Sequence, residues 1–260
     1  MIKAILFDLD DTLIWDKKSV KEAFKATCEI AAKKYAINPD NLEQKVRKNA
    51  RALYASYETY SFTQMIGINP FEGLWGEFSN DGEPFRKLKE IAPDYQRESW
   101  KKGLEDLGVN DPEFGVELAK TFPVMRKKMA FVYEETYNVL DQLKGNYNLL
   151  LLTNGSPSLQ QTKLEITPKL RGYFDHIVIS GAFGRGKPDP AIFDYARGLL
   201  SVEKGEMLMV GDNLHTDVLG ASRSGIASVW VNRDQKDHSE VAVPTFEIAH
   251  LEELLQILES

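Results

Sequence analysis

Ala4-Ile5-Leu6-Phe7-Asp8-Leu9-Asp10-Asp11-Thr12 is the stretch whose reading decides the fold. It opens with a short apolar run rich in Ile, Leu and Phe, the pattern of a buried strand. The run stops abruptly in carboxylates. An unpaired carboxylate is costly to bury, so acids in this place need a cation, a partner or a chemical role. Acids at the carboxyl end of a parallel strand also stand where open α/β sheets bind ligands. Asp8 and Asp10 together offer oxygen donors for a hard cation and one candidate nucleophile.

Beyond Thr12 the texture changes twice. From about Lys17 to Met129 the periodicity is helical and no strand is predicted. Ser19-Val20-Lys21-Glu22 reads as a capped helix start. Pro39 opens a second helix running through Tyr57, and further helices are predicted over 84–107 and 111–129. Between them, 60–81 interleaves Gly67, Pro70, Gly73 and Gly76 with Phe62, Phe71, Trp75 and Phe78. From Phe131 strands alternate with helices. Strands are predicted at 147–152, 176–179, 207–210 and 227–231, and helices at 134–143, 190–200 and 216–223. Such alternation means right-handed βαβ units and a parallel sheet, which the first strand joins across the helical stretch. The predicted fold is α/β: a Rossmann-like parallel sheet core from 1–15 and 131–260, with an inserted α-helical domain at 16–130.

A chain of 260 residues with 43% hydrophobic content supports one large domain or two modest ones. The net charge of −7 argues against a nucleic-acid surface, which needs a basic stripe. Lys45-Val46-Arg47-Lys48 is basic but is offset by nearby acids. The single cysteine, Cys28, excludes an internal disulfide and fits a reducing compartment. Set among apolar helix residues, it reads as a small buried hydrophobe rather than a nucleophile. Met1-Ile2-Lys3 does not resemble a signal peptide, and the aliphatic run Leu149-Leu150-Leu151-Leu152 is too short to cross a bilayer. The expectation is a soluble, cytoplasmic protein with no nucleic-acid and no membrane partner.

Four short motifs fall at strand ends or helix starts of the predicted core: Asp8 to Thr12, Thr153-Asn154-Gly155, Gly186-Lys187-Pro188-Asp189-Pro190, and Gly211-Asp212-Asn213-Leu214-His215-Thr216-Asp217. Each alone has a plain reading. Asp10-Asp11-Thr12 or Asp189-Pro190 caps a helix, Thr153-Asn154-Gly155 makes a turn, and Thr216 caps the next helix. Together they bring carboxylates, a hydroxyl and a lysine to one sheet edge. That set suits phosphoryl transfer through an aspartyl-phosphate. A carboxylate attacks phosphorus, a divalent cation offsets the repulsion between anions, and hydroxyl, N–H and ammonium groups hold the phosphate oxygens. Ser156-Pro157 reads as a helix start whose free N–H groups face an anion.

The order and content of these motifs resemble the haloacid dehalogenase-like hydrolase superfamily, over residues 1–15 and about 131–240. The helical insert resembles the cap of its first subfamily. The resemblance implies Asp8 as nucleophile and Asp10 as general acid, then base. It implies Mg²⁺ held by Asp8, Asp10 through its carbonyl, and Asp212. Thr153, Asn154 and Lys187 would bind the phosphate, and Asp217 would orient Lys187 or metal-bound water. Dehalogenating members typically lack the second Asp and bind no metal, so Asp10 and Asp212 favour phosphate-ester chemistry. The implied reaction is Mg²⁺-dependent hydrolysis of a small phosphorylated metabolite, such as phosphoserine, a nucleoside monophosphate or a sugar phosphate. A phosphomutase of the same family and a non-catalytic phosphate sensor are the alternatives. Substrate choice is expected in the aromatic segment 60–78, helped by Arg47 and Arg51 on one helix face.

Two other enzymatic readings fail on the residues. Gly181 to Lys187 has the spacing of a P-loop, but Pro188 stands where Ser or Thr must ligate the metal and removes an N–H from the cradle. No Gly-x-Ser-x-Gly elbow is present, and His176, His215, His238 and His250 show no zinc-like pairing.

Overall fold

The structure is a computed structural model and describes residues 1–237 and 240–259. His238 therefore lies outside the described residues. The chain forms two compact units, one from 1–16, 131–155 and 167–260, the other from 17–130 and 156–166. Among the described residues no helix is long and apolar enough to cross a membrane.

The first unit is built on a six-stranded sheet, β3-β2-β1-β4-β5-β6, in which every pairing is parallel. Its strands are β1 (Ala4–Phe7), β2 (Asn148–Thr153), β3 (His176–Ile179), β4 (Met207–Gly211), β5 (Ala227–Val231) and β6 (Phe246–Ile248). The α/β class and the parallel sheet are as predicted. The central strands β1 and β4 are buried along their whole length, which is why they read as continuous apolar runs rather than alternating ones. Strand β6 escaped prediction because it is three residues long, Phe-Glu-Ile, with two of them exposed. Register sets up the site. Phe7 lies opposite Leu151 on one side and Val210 on the other, so the three central strands end nearly level. Asp8, Thr153 and Asp212 thus emerge at one edge.

The second unit comprises α1 (Asp16–Tyr35), α2 (Pro39–Ser56), α3 (Tyr60–Ile66), α4 (Pro70–Gly73), α5 (Glu83–Glu105) and α6 (Pro112–Lys128). Helix α1 begins at Asp16, not at Ser19. Ser19 is buried inside the helix, where its hydroxyl accepts from the Arg126 guanidinium, so it has no capping role. Phe24 anchors the core, with ring centroids 4.5 Å from Phe122 and 5.8 Å from Trp100. Helices α2 and α5 approach so closely that a Cβ on Gly103 would lie 2.4 Å from Val46 Cγ2.

The aromatic segment expected to face a substrate belongs to this core instead. Trp75 and Phe78 are buried in it, and Phe62 and Phe71 pack against it. Arg126 lies 4.4 Å over the Trp75 ring. Arg47 and Arg51 do share a face, and both lie over Phe71, at 4.5 and 4.8 Å. The glycines and Pro70 that made this segment irregular in sequence break it into α3 and α4, which are held by a left-handed Gly67 and a capping box between Asn69 and Glu72.

The chain then passes through α7 (Thr136–Leu143) and β2 of the α/β unit and returns to the helical unit with α8 (Pro157–Ile166). Lys163 of α8 pairs with Glu72 at 2.8 Å, both side chains being buried. Helix α8 starts at Pro157 as predicted, and the Ser156 carbonyl accepts from Gln160 N at 2.9 Å. The Ser156 hydroxyl donates to Asn80 Oδ1, 2.8 Å away, and the same oxygen accepts from Ser158 N at 3.2 Å and Ser158 Oγ at 2.9 Å. The Ser158 N–H that sequence left open to an anion is thus taken by Asn80. Asn80→Ala is expected to lower stability by about 1 kcal/mol through loss of this acceptor, with Asn80→Asp restoring it, as read by urea denaturation. The remaining helices, α9 (Ser180–Phe183), α10 (Pro190–Leu200), α11 (Leu219–Ser224) and α12 (Glu253–Glu259), belong to the α/β unit. Helix α11 starts three residues later than predicted because Leu214–Val218 forms a wide helical turn before it.

Cys28 is fully buried within α1, and burial, with Glu43 nearby, pushes its thiol well above the usual range. It is expected not to react with a disulfide reagent in the native protein and to react fully in guanidinium, as read by thionitrobenzoate release.

Candidate active site

The loop after β1 is tightly wound. Asp8 N donates to Val210 O at 2.9 Å, continuing the ladder one residue past Phe7. The chain then turns, with Leu13 N and Ile14 N both donating to Leu9 O, at 3.0 and 3.1 Å. Asp11 sits in the left-handed region at φ 60, a conformation Asp tolerates better than bulkier residues. Asp10 lies in this loop, half-buried, two residues beyond Asp8. The winding returns Thr12 to Asp8. Thr12 Oγ1 donates to Asp8 Oδ2 at 3.3 Å and accepts from the backbone N–H of Asp212 at 3.0 Å.

Lys187 is the hub. Its ammonium lies 2.7 Å from Asp8 Oδ1, 2.7 Å from Asp217 Oδ1 and 2.6 Å from the carbonyl of Leu152. An ammonium has three protons, and three oxygens surround this one. The backbone of Lys187 is gripped by Asn154, which accepts from its N–H at 2.8 Å and donates to its carbonyl at 2.9 Å. The Asn154 side chain is therefore engaged in holding the lysine loop. Gly186 makes room for it, since a Cβ there would lie 2.7 Å from Asn154 Oδ1. Asp189 caps α10 by accepting from Ala191 N at 2.9 Å.

On the fourth motif, Asp217 Oδ2 accepts from Asn213 N at 3.1 Å. A Cβ on Gly211 would stand 2.2 Å from that same oxygen, so the strand must end in glycine for Asp217 to reach inward. The carbonyl of Asp212 accepts from the Trp230 indole N–H at 2.9 Å. Thr153 closes β2 and is fully buried. His215 lies in the loop with its backbone N–H on Asn213 Oδ1.

Burial dominates the electrostatics. It pushes the Asp8 carboxyl up, as does the Asp212 charge, while the Lys187 ammonium pulls it back. Asp217 is raised for the same leading reason and is likewise opposed by Lys187. Burial alone would depress Lys187, but Asp217 and Asp8 outweigh it and hold the lysine above its usual range. Oxygens of Asp8, Asp212 and Asp217 lie within 4.8 Å of one another. Three carboxylates around one lysine leave the cluster net anionic, and hard oxygen donors of this kind suit a small divalent cation such as Mg²⁺.

The structure thus brings Asp8, Lys187, Asp212 and Asp217 together directly and Asn154 through the Lys187 backbone. Sequence reasoning missed two supports. Thr12 belongs to the first motif, but the sequence assigns it no role of its own, although a hydroxyl four residues after the first carboxylate, on a wound loop, returns to it. Trp230 lies in the strand predicted at 227–231 without being singled out, and its indole N–H, which needs an acceptor when buried, is the available signal.

Comparison with known proteins gives one consistent result. The family model for haloacid dehalogenase-like hydrolases matches residues 2–225. A phosphoserine phosphatase of Thermus thermophilus is 32% identical over 97% of this chain and 98% of its own. A glyceraldehyde 3-phosphate phosphatase of Methanopyrus kandleri is 30% identical over 99% of this chain and 97% of its own. Among solved structures, the putative hydrolase YfnB of Bacillus subtilis superposes with a TM-score of 0.67 at 22% identity, covering 100% of this chain and 99% of that one.

Proposed function

The chain belongs to the haloacid dehalogenase-like hydrolases, on their phosphatase branch, and we propose that it hydrolyses small phosphate monoesters through an aspartyl-phosphate on Asp8. The observation that carries this reading is the chain of contacts Asp217–Lys187–Asp8, each 2.7 Å long, with Asp212 beside it at the sheet edge.

Asp8 is the attacking group. Lys187 and Thr12 each take one of its oxygens, which fixes the side chain and favours its ionised form against burial. A bond forms between an Asp8 oxygen and phosphorus as the bond from phosphorus to the ester oxygen breaks. Asp10, protonated, gives its proton to the leaving alkoxide. In the second half-reaction Asp10 takes a proton from water, the water oxygen bonds to phosphorus, and the bond to Asp8 breaks, restoring the carboxylate. The Thr153 hydroxyl, the backbone N–H of Asn154 and Lys187, which exchanges one of its present oxygen partners for the substrate, hold the phosphate oxygens. Asp217 keeps Lys187 in place. Asp8, the Asp10 carbonyl and Asp212 would hold Mg²⁺, which would supply charge neutralisation to the transferring phosphate. The helical insert 16–130 is proposed as the cap that selects the leaving group.

Phosphoserine leads the substrate panel, because the similarity to a phosphoserine phosphatase runs along nearly the whole chain. Sugar and triose phosphates follow. The test is phosphate release over such a panel with Mg²⁺, together with acid-quenched protein analysed for phosphate on Asp8. Turnover without label on Asp8 would refute the covalent route. No release from any ester would refute the activity and favour a sensor.

A further inference from the structure

We infer that Arg233 is a positioning residue for the Asp8–Asp212 pair, acting through Thr12; the inference rests on the site proposed above. Arg233 lies two residues beyond the end of β5 and belongs to none of the four motifs. Its guanidinium makes three contacts at once. Nη2 donates to the carbonyl of Thr12 at 3.2 Å. Nη1 donates to Glu135 Oε1 at 2.5 Å, and the Glu135 side chain is itself buried. The guanidinium plane covers the Tyr133 ring, 3.7 Å from its centroid.

What Arg233 holds is the residue that links two carboxylate-bearing loops. Thr12 is the donor to Asp8 Oδ2 and the acceptor for Asp212 N–H. Its backbone has left β1, so its placement depends on contacts from outside the sheet. The next residue, Leu13, is tied down in the same way: its carbonyl accepts from Tyr133 N at 3.2 Å and Thr136 Oγ1 at 2.9 Å. Tyr133 is an Arg233 partner, so the guanidinium meets this turn directly at the Thr12 carbonyl and again through the residue that donates to Leu13. A fork with a flat face is needed for all three contacts, and a lysine ammonium cannot reproduce it. The carboxyl end of β5 thereby supplies two supports, Trp230 on the Asp212 carbonyl and Arg233 on the Thr12 carbonyl.

The test is Mg²⁺ binding by calorimetry alongside steady-state kinetics, on the full chain. Residues that hold metal ligands in place typically contribute about 10–100-fold to affinity or activity. Arg233→Lys and Arg233→Gln are each expected to weaken Mg²⁺ binding about tenfold and to lower kcat about tenfold, with KM for the ester little changed. Thr12→Val removes the hydroxyl while keeping Arg233 and is expected to give the same loss, so the cycle Arg233→Gln with Thr12→Val will be strongly non-additive. Wild-type Mg²⁺ affinity in both Arg233 variants overturns the inference, as does full additivity of the cycle. If the Arg233 variants do not fold, wild-type Mg²⁺ affinity in Thr12→Val overturns it alone. Calorimetry reads the cation and not turnover, so a wild-type protein that hydrolyses no ester refutes the reaction and leaves the Arg233 effect measurable.

Discussion

Asp8→Asn is expected to fold like the parent protein and to lose kcat by about a thousandfold or more, since it removes the carboxylate proposed to form the bond to phosphorus. Asparagine has the shape of the carboxylate. Its Oδ1 can still accept from Lys187, and its Nδ2 can donate to Thr12 Oγ1, where the carboxylate accepted. One negative charge leaves a buried cluster in which Asp212 already repels Asp8, so the fold bears no new penalty. Activity and stability therefore separate in this variant. Phosphate release measured beside a denaturation midpoint checks both at once. Activity within tenfold of the parent would show that Asp8 is not the attacking group.

Lys187→Met has the opposite character and damages both. Its ammonium is the shared partner of two buried carboxylates. Removing one member of a buried charged pair costs about 3–5 kcal/mol, because the charge left behind keeps its desolvation penalty. Here two are left behind. The sign of the pH dependence follows. Asp8 and Asp217 are already raised by burial, and without Lys187 they are raised further. A group whose folded pKa exceeds its unfolded value stabilises below the unfolded value, about 3.9 for Asp, and loses that contribution as pH rises through the folded one. The variant's deficit is therefore expected to be smallest in acid and to grow toward neutrality. Urea midpoints for both proteins in EDTA, at several pH values, test this. A deficit independent of pH would mean that the carboxylates titrate alike with and without the lysine.

Much of this arrangement was legible in the chain. Ile5 to Phe7, Leu149 to Leu152 and Met207 to Val210 are apolar without alternation because strands covered on both faces must be, and the motif residues are conspicuous because they interrupt those runs. What remained hidden depended on distant parts of the chain. Asn80 accepts from the start of α8 across 78 residues of sequence, and no local pattern announces that. Arg233 bonds to Thr12 across 221 residues. The aromatics around Trp75 misled for a related reason. A segment broken by glycine and proline resembles an exposed recognition loop, whereas here the breaks fit two short helices into a core. Strand β6 was too short and too exposed to carry a pattern.

Helix α8 carries a lesson for anyone recombining proteins of this kind. Residues 156–166 group with 17–130, through Asn80 at the leading end and the Glu72–Lys163 bridge further along. A chimera that exchanged only the long insertion would separate Lys163 from Glu72 and Ser158 from Asn80. The transferable module is therefore discontinuous, and a graft that respects its seams must carry both pieces.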